Sequence, residues 1–320
     1  MPGDAIVHHF ADRLTAAVRR TKTPALVGID PRLANLPAPL RPTAESPSPE
    51  QVASAFVEFS QGIIDVVAPL VPAVKPQSAF FEQIGPAGTV ALGEVIQYAR
   101  SKGLVVITDA KRNDIGSTAD AYAQAYLGPA GSTPFASDCL TVSPYLGEDS
   151  LEPFVEIAQQ NGNGIFVLVK TSNPGGGRFQ DLVADGQPVY QHVAQLVNQL
   201  ALNTPGQDSS HSYGCVGAVV GATYPEQLVA LRQSMPNTWL LVPGYGAQGG
   251  GASDVAGGFD EQGLGAIINS SRGIIFAHDR EEFRGKFSPQ NWQRAVEAAT
   301  LEMIAILAAE TPAGKLQDAS

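Results

Sequence analysis

The sequence predicts a single α/β domain in which eight parallel strands close into a (β/α)8 barrel of the TIM type. Two observations support this prediction. Short apolar runs recur eight times, as expected of strands buried on both faces, and amphipathic stretches of helical length separate them. Eight such units in one chain favour a closed barrel, and a doubly wound open sheet is the alternative.

Each predicted strand is a short apolar run: 25–29, 71–75, 104–108, 138–143, 164–169, 215–221, 238–242 and 264–269. The predicted helices between and after them share an apolar face: 50–68, 88–102, 118–127, 149–161, 187–203, 225–235, 253–262 and 288–309. The first twenty-four residues have the charge pattern of an amphipathic helix and not that of a signal peptide.

One barrel domain is expected to cover residues 1–320. Three loop segments look like additions to a minimal barrel, at 31–49, 129–136 and 204–214. The tail 311–320 is expected to be frayed, as chain ends often are.

The composition is that of a globular protein with a sizeable core, with 44% hydrophobic and 16% charged residues. A net charge of −11 argues against nucleic acid or an anionic membrane as the main partner. No run of 18 apolar residues predicts a membrane span. Cys139 and Cys215 lie in apolar runs and are expected to be reduced core thiols rather than redox groups. These features predict a cytoplasmic protein.

Polar residues follow the predicted strands at their carboxyl ends, where barrel active sites are built. Charged side chains there are costly unless they are paired or face a cleft. The strand-end residues are Asp30, Lys75, Asp109 with Lys111, Ser143, Ser172, Pro243–Gly250 and Asn269–Arg272.

The segment from Asp109 to Thr118 (DAKRNDIGST) carries the strongest signal of chemistry. Strand alternation would place Asp109 and Lys111 on the same side of the chain, and Asp114 and Thr118 lie one helical turn apart at the start of the next helix. With Lys75, two ammonium groups and two carboxylates are expected to meet and to hold each other ionised. A surface salt-bridge cluster is the alternative.

The loop Pro243–Gly251 follows a strand and precedes a helix, and its glycines would let backbone N–H groups approach a phosphate. Arg272 could add a bidentate contact, and barrels often hold phosphate after strands seven and eight. The glycine spacing also matches a dinucleotide fingerprint, but not in a first βαβ unit, where that motif belongs. Residues 173–178 (NPGGGR) form either a lid that closes over a ligand or a connector.

No zinc-binding motif occurs, so no metal site is expected. No nucleophile-elbow motif occurs either. The five histidines lie outside the predicted strand ends and are expected to be structural or on the surface: His8, His9, His192, His211 and His278.

The run DAKRNDIGSTA closely resembles the signature of orotidine 5′-phosphate decarboxylases. Four further segments follow in the order of that family: LVGIDPR at 26–32, VKPQSAFFE at 74–82, VKTSNPGG at 169–176 and VPGYGAQGG at 242–250. The length and the loop insertions make the chain similar to a longer bacterial-type branch.

The resemblance implies four roles in the charge array. Asp30 would hydrogen-bond the ribose hydroxyls, and Lys75 would contact the ribose and the charged groups. Asp109 would lie against the substrate carboxylate, and Lys111 would deliver a proton to C6.

It also implies a homodimer in which Asp114 and Thr118 reach the neighbouring site. Ser172 would read the pyrimidine ring, and Gln248 and Arg272 would grip the phosphate. The implied activity is the decarboxylation of orotidine 5′-monophosphate to uridine 5′-monophosphate in de novo pyrimidine biosynthesis, with no cofactor.

Three other functions share parts of this pattern. A keto-gulonate phosphate decarboxylase or hexulose phosphate synthase would share the barrel and an Asp-x-Lys strand end, and would use Mg²⁺. A Schiff-base aldolase could use Lys75 or Lys111, although a charge array that keeps lysine protonated argues against it. A nucleotide-binding barrel without catalysis is the remaining alternative.

Overall fold

In a computed structural model, which describes residues 8–246 and 250–318, eight parallel strands form a closed barrel. The strands neighbour each other in chain order, and the first pairs with both the second and the last. They are β1 (Ala25–Ile29), β2 (Ala73–Pro76), β3 (Val105–Arg112), β4 (Cys139–Val142), β5 (Gly164–Lys170), β6 (Val216–Val220), β7 (Leu240–Val242) and β8 (Ala266–Ser270). The predicted fold is therefore confirmed.

The helices surround the barrel. They are α1 (Phe10–Thr21), α2 (Pro49–Val67), α3 (Ser78–Glu82), α4 (Pro86–Ser101), α5 (Gly116–Leu127), α6 (Glu152–Asn161), α7 (Gly177–Gln180), α8 (Val189–Leu202), α9 (Pro225–Ser234), α10 (Ala252–Val255), α11 (Arg272–Ile275), α12 (Trp292–Glu310) and α13 (Lys315–Asp318). A two-stranded hairpin joins Val183–Ala184 to Gln187–Pro188.

Local sequence signals explain where the helices start. Helix α2 begins with a capping box, in which the Ser48 hydroxyl accepts from the Gln51 N–H and the Gln51 side chain accepts from the Ser48 N–H. Pro49 occupies the first turn, where its missing N–H costs nothing. Phe56 and Phe59 on the inner face are buried. Capping fixes the start of α2, and its apolar face fixes its orientation on the barrel.

Helix α1 closes the amino-terminal end of the barrel. The Phe10 ring packs edge-on against Phe166, and a Cβ at Gly164 would lie only 2.3 Å from the Phe10 ring. Arg13 Nη1 lies 2.5 Å from Asp138 Oδ1, and the other carboxylate oxygen accepts from a backbone N–H of β3 at 2.8 Å. Because this end is sealed, a ligand can enter the barrel at the carboxyl ends of its strands.

The predicted helix 253–262 is wrong in length. Its only α-helical turn is α10, and a 3-10 turn follows at Ala256–Gly258. Gly257 and Gly258 disfavour a longer helix, and a Cβ at Gly257 would lie 2.3 Å from a Val229 methyl group. A longer helix would favour a residue other than glycine at position 257. The close approach of this segment to α9 requires glycine there.

The segment 311–318 differs from the frayed tail expected from the sequence. It forms a 3-10 turn and α13, and it buries Ala313 and Leu316. Gln317 and Lys22 exchange side-chain to backbone hydrogen bonds of 2.9 and 3.1 Å. Apolar burial thus orders this segment, and residues 319–320 lie outside the described residues.

The insertion 204–214 is attached to α1. Asp12 accepts from the Gln207 N–H at 2.9 Å, and the His211 ring nitrogen lies 3.0 Å from the same carboxylate. No helix in the described part of the chain is long and apolar enough to cross a membrane.

Candidate active site

A cavity of about 300 Å³ opens at the carboxyl ends of the strands. Residues in or directly after all eight strands line it, as expected of a barrel active site. Six of the nine predicted site residues are among them: Asp30, Lys75, Asp109, Lys111, Ser172 and Arg272.

Asp109 lies at the centre of a hydrogen-bonded array. Lys75 Nζ donates to its Oδ2 atom at 2.7 Å, and Lys111 Nζ donates to its Oδ1 atom at 2.6 Å. Two neutral groups complete the set: Gln77 Nε2 donates to Oδ2 at 2.9 Å and Thr141 Oγ1 donates to Oδ1 at 2.9 Å. The carboxylate is therefore held by two cations and two neutral donors.

The charges of the array determine its protonation. Burial alone would raise the pKa of Asp109, but Lys75 and Lys111 outweigh it and hold the pKa well below its ordinary value. Burial would lower the pKa of Lys75, but Asp109 and Asp30 more than offset it, so this pKa is raised. The array therefore presents an ionised carboxylate and a protonated buried lysine at neutral pH.

Lys111 reaches Asp109 by a different route from the predicted one. Its φ is +47°, in the left-handed region, and the register of β3 against β4 shifts between Thr108 and Arg112. The simple strand alternation therefore fails at this point. The Lys111 N–H donates to Thr141 Oγ1 at 3.0 Å. The irregularity directs the Lys111 side chain, about half of which is exposed, towards the cavity.

The wall formed by β1 and β8 carries polar atoms with unused hydrogen-bonding capacity. Asp30 Oδ1 and Asn269 Oδ1 are buried and have no hydrogen-bond partner among the described residues. Gly28 lies between them on this wall, and a Cβ there would lie 1.9 Å from Ser271 Oγ. Glycine at this position therefore leaves the space that the residues after β8 occupy.

Arg272, which is predicted to bind the phosphate, and the described part of the loop after β7 line the side of the cavity at β7 and β8. Arg272 is the first residue of α11, and the loop after β7 contributes Pro243, Gly244 and Tyr245. Gly244 has a φ of +98°, which favours glycine. Gln248 lies outside the described residues, so its predicted contact stays a prediction.

The predicted lid 173–178 begins beside the cavity, and hydrogen bonds and an ion pair hold its stem. Gln180 Nε2 donates to Thr171 Oγ1 at 2.8 Å, and Thr171 Oγ1 donates to Asn173 Oδ1 at 2.7 Å. The buried Lys170 forms an ion pair with Asp181, just beyond the loop. Both ends of the loop are thus attached to β5, and its glycine-rich tip lies between them.

Asp114 and Thr118 do not line the cavity of the chain that carries them, as far as the described residues show. Asp114 accepts a hydrogen bond from the next residue's N–H at 2.9 Å, and Thr118 is exposed on α5. Ile115, which follows Asp114 in the chain, is 56% exposed. A single chain therefore does not bring these two predicted residues to its own array.

Sequence reasoning missed two members of the array, Gln77 and Thr141. A signal existed for Gln77, because it follows Lys75 by two residues, as Lys111 follows Asp109. For β4 the prediction chose Ser143, but the buried Thr141 is the β4 side chain that lines the cavity in the described structure. Its role depends on the irregularity in the neighbouring strand, which is not visible in the pattern of β4 itself.

The five histidines agree with their predicted place outside the site: in the described structure His8, His9, His192, His211 and His278 do not line the cavity. Within residues 8–246 and 250–318, no group of three or more histidine, cysteine or acidic side chains is arranged to hold a metal.

The closed parallel barrel and the charged cavity at its strand ends define a (β/α)8-barrel enzyme. Residues 58–284 match the model of the orotidine 5′-phosphate decarboxylase / HUMPS family. The chain belongs to this family and is a carboxy-lyase.

Individual relatives support this assignment over most of the chain. The orotidine 5′-phosphate decarboxylase of Rhodopirellula baltica is 60% identical over 296 residues, which cover 92% of this chain and 97% of the relative. That of Deinococcus radiodurans is 43% identical over 271 residues, or 84% and 89% of the two chains. The structure of Leishmania donovani OMP decarboxylase superposes with a TM-score of 0.72 at 30% identity, covering 98% of this chain and all of the other.

Proposed function

We propose that this protein converts orotidine 5′-monophosphate to uridine 5′-monophosphate by direct loss of CO2, with Lys111 as the proton donor. The observation that carries the proposal is the Lys75–Asp109–Lys111 array, in which one ionised carboxylate lies between two ammonium groups at 2.7 and 2.6 Å. The name that the curated relatives share supports the substrate.

In the proposed reaction, the substrate carboxylate lies against Asp109. Asp109 is ionised and cannot turn away, because donors hold both of its oxygens. The bond between C6 and the carboxyl carbon breaks, CO2 leaves, and the electron pair stays on C6. The repulsion between the two carboxylates is relieved as CO2 departs.

Lys111 stabilises and then protonates the carbanion. Its ammonium group is fixed near the array before the reaction begins, so little reorganisation is needed as charge develops. A proton moves from Nζ to C6, which gives uridine 5′-monophosphate and a neutral lysine that solvent reprotonates. About half of the Lys111 side chain is exposed, which leaves it access to solvent.

Binding of the rest of the nucleotide supplies the energy that brings the two carboxylates together. We assign the ribose hydroxyls to Asp30, whose Oδ1 atom has no partner among the described residues, and to Lys75. Ser172 would contact the pyrimidine ring, and Arg272 and Gln248 would bind the phosphate. The loop 173–178 would then close over the ligand, because it joins Ser172 to a stem attached to β5.

The proposed active form is a homodimer in the cytoplasm. Asp114 and Thr118 lie outside their own chain's cavity in the described structure, and Ile115, which follows Asp114, is an exposed apolar side chain. A second copy packed on this face would cover Ile115 and would receive Asp114 and Thr118 in its site. The two cysteines are free and buried, which suits a reducing compartment.

The proposed reaction is tested by ultraviolet absorbance of the purified protein with orotidine 5′-monophosphate in EDTA, with no added cofactor. Conversion to uridine 5′-monophosphate is expected. No conversion, with added Mg²⁺ also failing to restore it, would favour a binding role or a phosphosugar substrate, for which a metal would stabilise an enediolate.

The role of Lys111 is tested by Lys111→Ala. Turnover should be abolished, because the proton donor is gone, while uridine 5′-monophosphate should still bind, since the other binding residues remain. Lys102→Ala is the control, because Lys102 is exposed and precedes β3 at the other end of the barrel. Retained turnover in Lys111→Ala would contradict the assignment.

A further inference from the structure

Thr141 makes contacts in the array that no role described above explains. It lies on β4, it is 1% exposed, and it lines the cavity. Its hydroxyl donates to Asp109 Oδ1 at 2.9 Å and accepts from the Lys111 N–H at 3.0 Å. One neutral side chain on β4 therefore bonds to both residues of β3 that the proposed reaction uses: to the carboxylate of Asp109 and to the backbone of Lys111.

The contact with Asp109 completes the surroundings of that carboxylate. A carboxylate has about four sites for accepting hydrogen bonds. Lys75 and Gln77 occupy two of them on Oδ2, and Lys111 and Thr141 occupy two on Oδ1. Each oxygen therefore accepts from one cation and one neutral donor. These four hydrogen bonds fix the orientation of the carboxylate plane.

The contact with Lys111 stabilises an uncommon backbone conformation. At a φ of +47°, a residue other than glycine is strained by roughly 1 to 2 kcal/mol, and such strain persists only where the surroundings enforce it. The register shift between Thr108 and Arg112 interrupts the regular ladder beside Lys111. The Thr141 hydroxyl accepts the Lys111 N–H at this position.

We propose that Thr141 is a positioning residue, which holds the backbone of Lys111 and the carboxylate of Asp109 in fixed relative places; this inference rests on the proposed decarboxylation. The backbone angle of Lys111 sets the direction of its side chain, so the hydroxyl governs where the ammonium group points. Gln77 makes only the contact with Asp109 within the described array, and so it acts on one of the two groups.

The hydroxyl can be removed in two matched pairs of proteins. Wild type and Thr141→Val differ by the hydroxyl with the branched shape kept, and Thr141→Ser and Thr141→Ala differ by the hydroxyl in a smaller side chain. Thr108→Val is the control, because Thr108 lies on β3, is buried, and has an Oγ1 atom with no hydrogen-bond partner among the described residues.

Thr141→Val should lower kcat about 10- to 100-fold, which is the range expected when a hydrogen bond to a charged group is lost. The KM and the dissociation constant of uridine 5′-monophosphate should stay within about threefold, because Thr141 acts on the reacting groups and not on ribose or phosphate. Thr141→Ser should restore most of kcat, Thr141→Ala should not, and Thr108→Val should match wild type. Circular dichroism checks that each variant is folded.

Four results separate the possibilities. A folded Thr141→Val with unchanged kcat would overturn the positioning role, and so would equal kcat values for the serine and alanine variants if the valine variant does not fold. If KM and the dissociation constant of uridine 5′-monophosphate both rise in Thr141→Val while kcat changes little, Thr141 acts in binding, and the proposal is also overturned. Absence of turnover in wild type would refute the proposed function itself.

Discussion

Lys75 and Lys111 contact the same carboxylate at nearly the same distance, but they differ in burial. Lys75 Nζ lies 2.7 Å from Asp109 and its side chain is 6% exposed, while Lys111 Nζ lies 2.6 Å away and its side chain is 48% exposed. Replacement of each lysine by methionine keeps most of the side-chain volume and removes the charge. We expect the two substitutions to differ strongly in their effect on the free energy of unfolding.

The magnitudes follow from the surroundings of each ammonium group. Lys75→Met leaves Asp109 buried with one cation fewer and removes the cation that faces Asp30, so it should cost about 3 to 5 kcal/mol. Lys111→Met removes a half-exposed charge whose pairing is screened by solvent, so it should cost about 1 kcal/mol or less. Both variants should lose activity, since both lysines belong to the array.

Urea unfolding followed by tryptophan fluorescence measures this difference, because Trp239 and Trp292 are buried. With a urea dependence of about 3 kcal/mol per molar, Lys75→Met should unfold at a urea concentration about 1 to 2 M lower than wild type. All proteins are compared at one concentration. Similar midpoints for the two variants would refute the argument that burial decides the contribution of each lysine.

Three further predictions concern the cavity, the chain end and pH. Gly28→Ala should raise the KM at least about tenfold, because the new methyl group would displace Ser271 and the adjoining Arg272; an unchanged KM in steady-state assays would contradict this. Leu316→Ala should cost about 2 to 3 kcal/mol in urea unfolding, whereas a frayed tail predicts no change. Because its pKa is depressed, Asp109 stabilises the fold above its unfolded pKa near 3.9, and this contribution is lost as the pH falls through the lower folded pKa. The difference in unfolding free energy between wild type and Asp109→Asn should therefore be constant from pH 5 to 7 and shrink below about pH 4.

The barrel could be predicted from the sequence because its strands are buried on both faces. Continuous apolar runs such as 25–29 and 164–169 lie within one or two residues of β1 and β5. The charged strand ends were also visible, since Lys75 and Asp109 directly end such runs. The helix 253–262 was mispredicted because its periodicity is outweighed by Gly257, which a contact with α9 requires.

The details of the array depend on contacts between strands, which one strand's pattern does not contain. The left-handed conformation of Lys111 needs an acceptor on β4, and Thr141 supplies it. Asp114 and Thr118 show a second limit, since their predicted role requires another copy of the chain. The order of the tail depends on the burial of the Leu316 side chain. A single leucine among mostly polar neighbours in the sequence does not indicate that burial.

The two hydrogen bonds between Lys22 and Gln317 join the residue at the carboxyl end of α1 to α13. Strands β1 and β8 meet through pairs such as Leu26 with Asn269. The closure of the barrel is therefore supported twice: by the ladder between β1 and β8, and by the hydrogen bonds between the segments that precede β1 and follow β8.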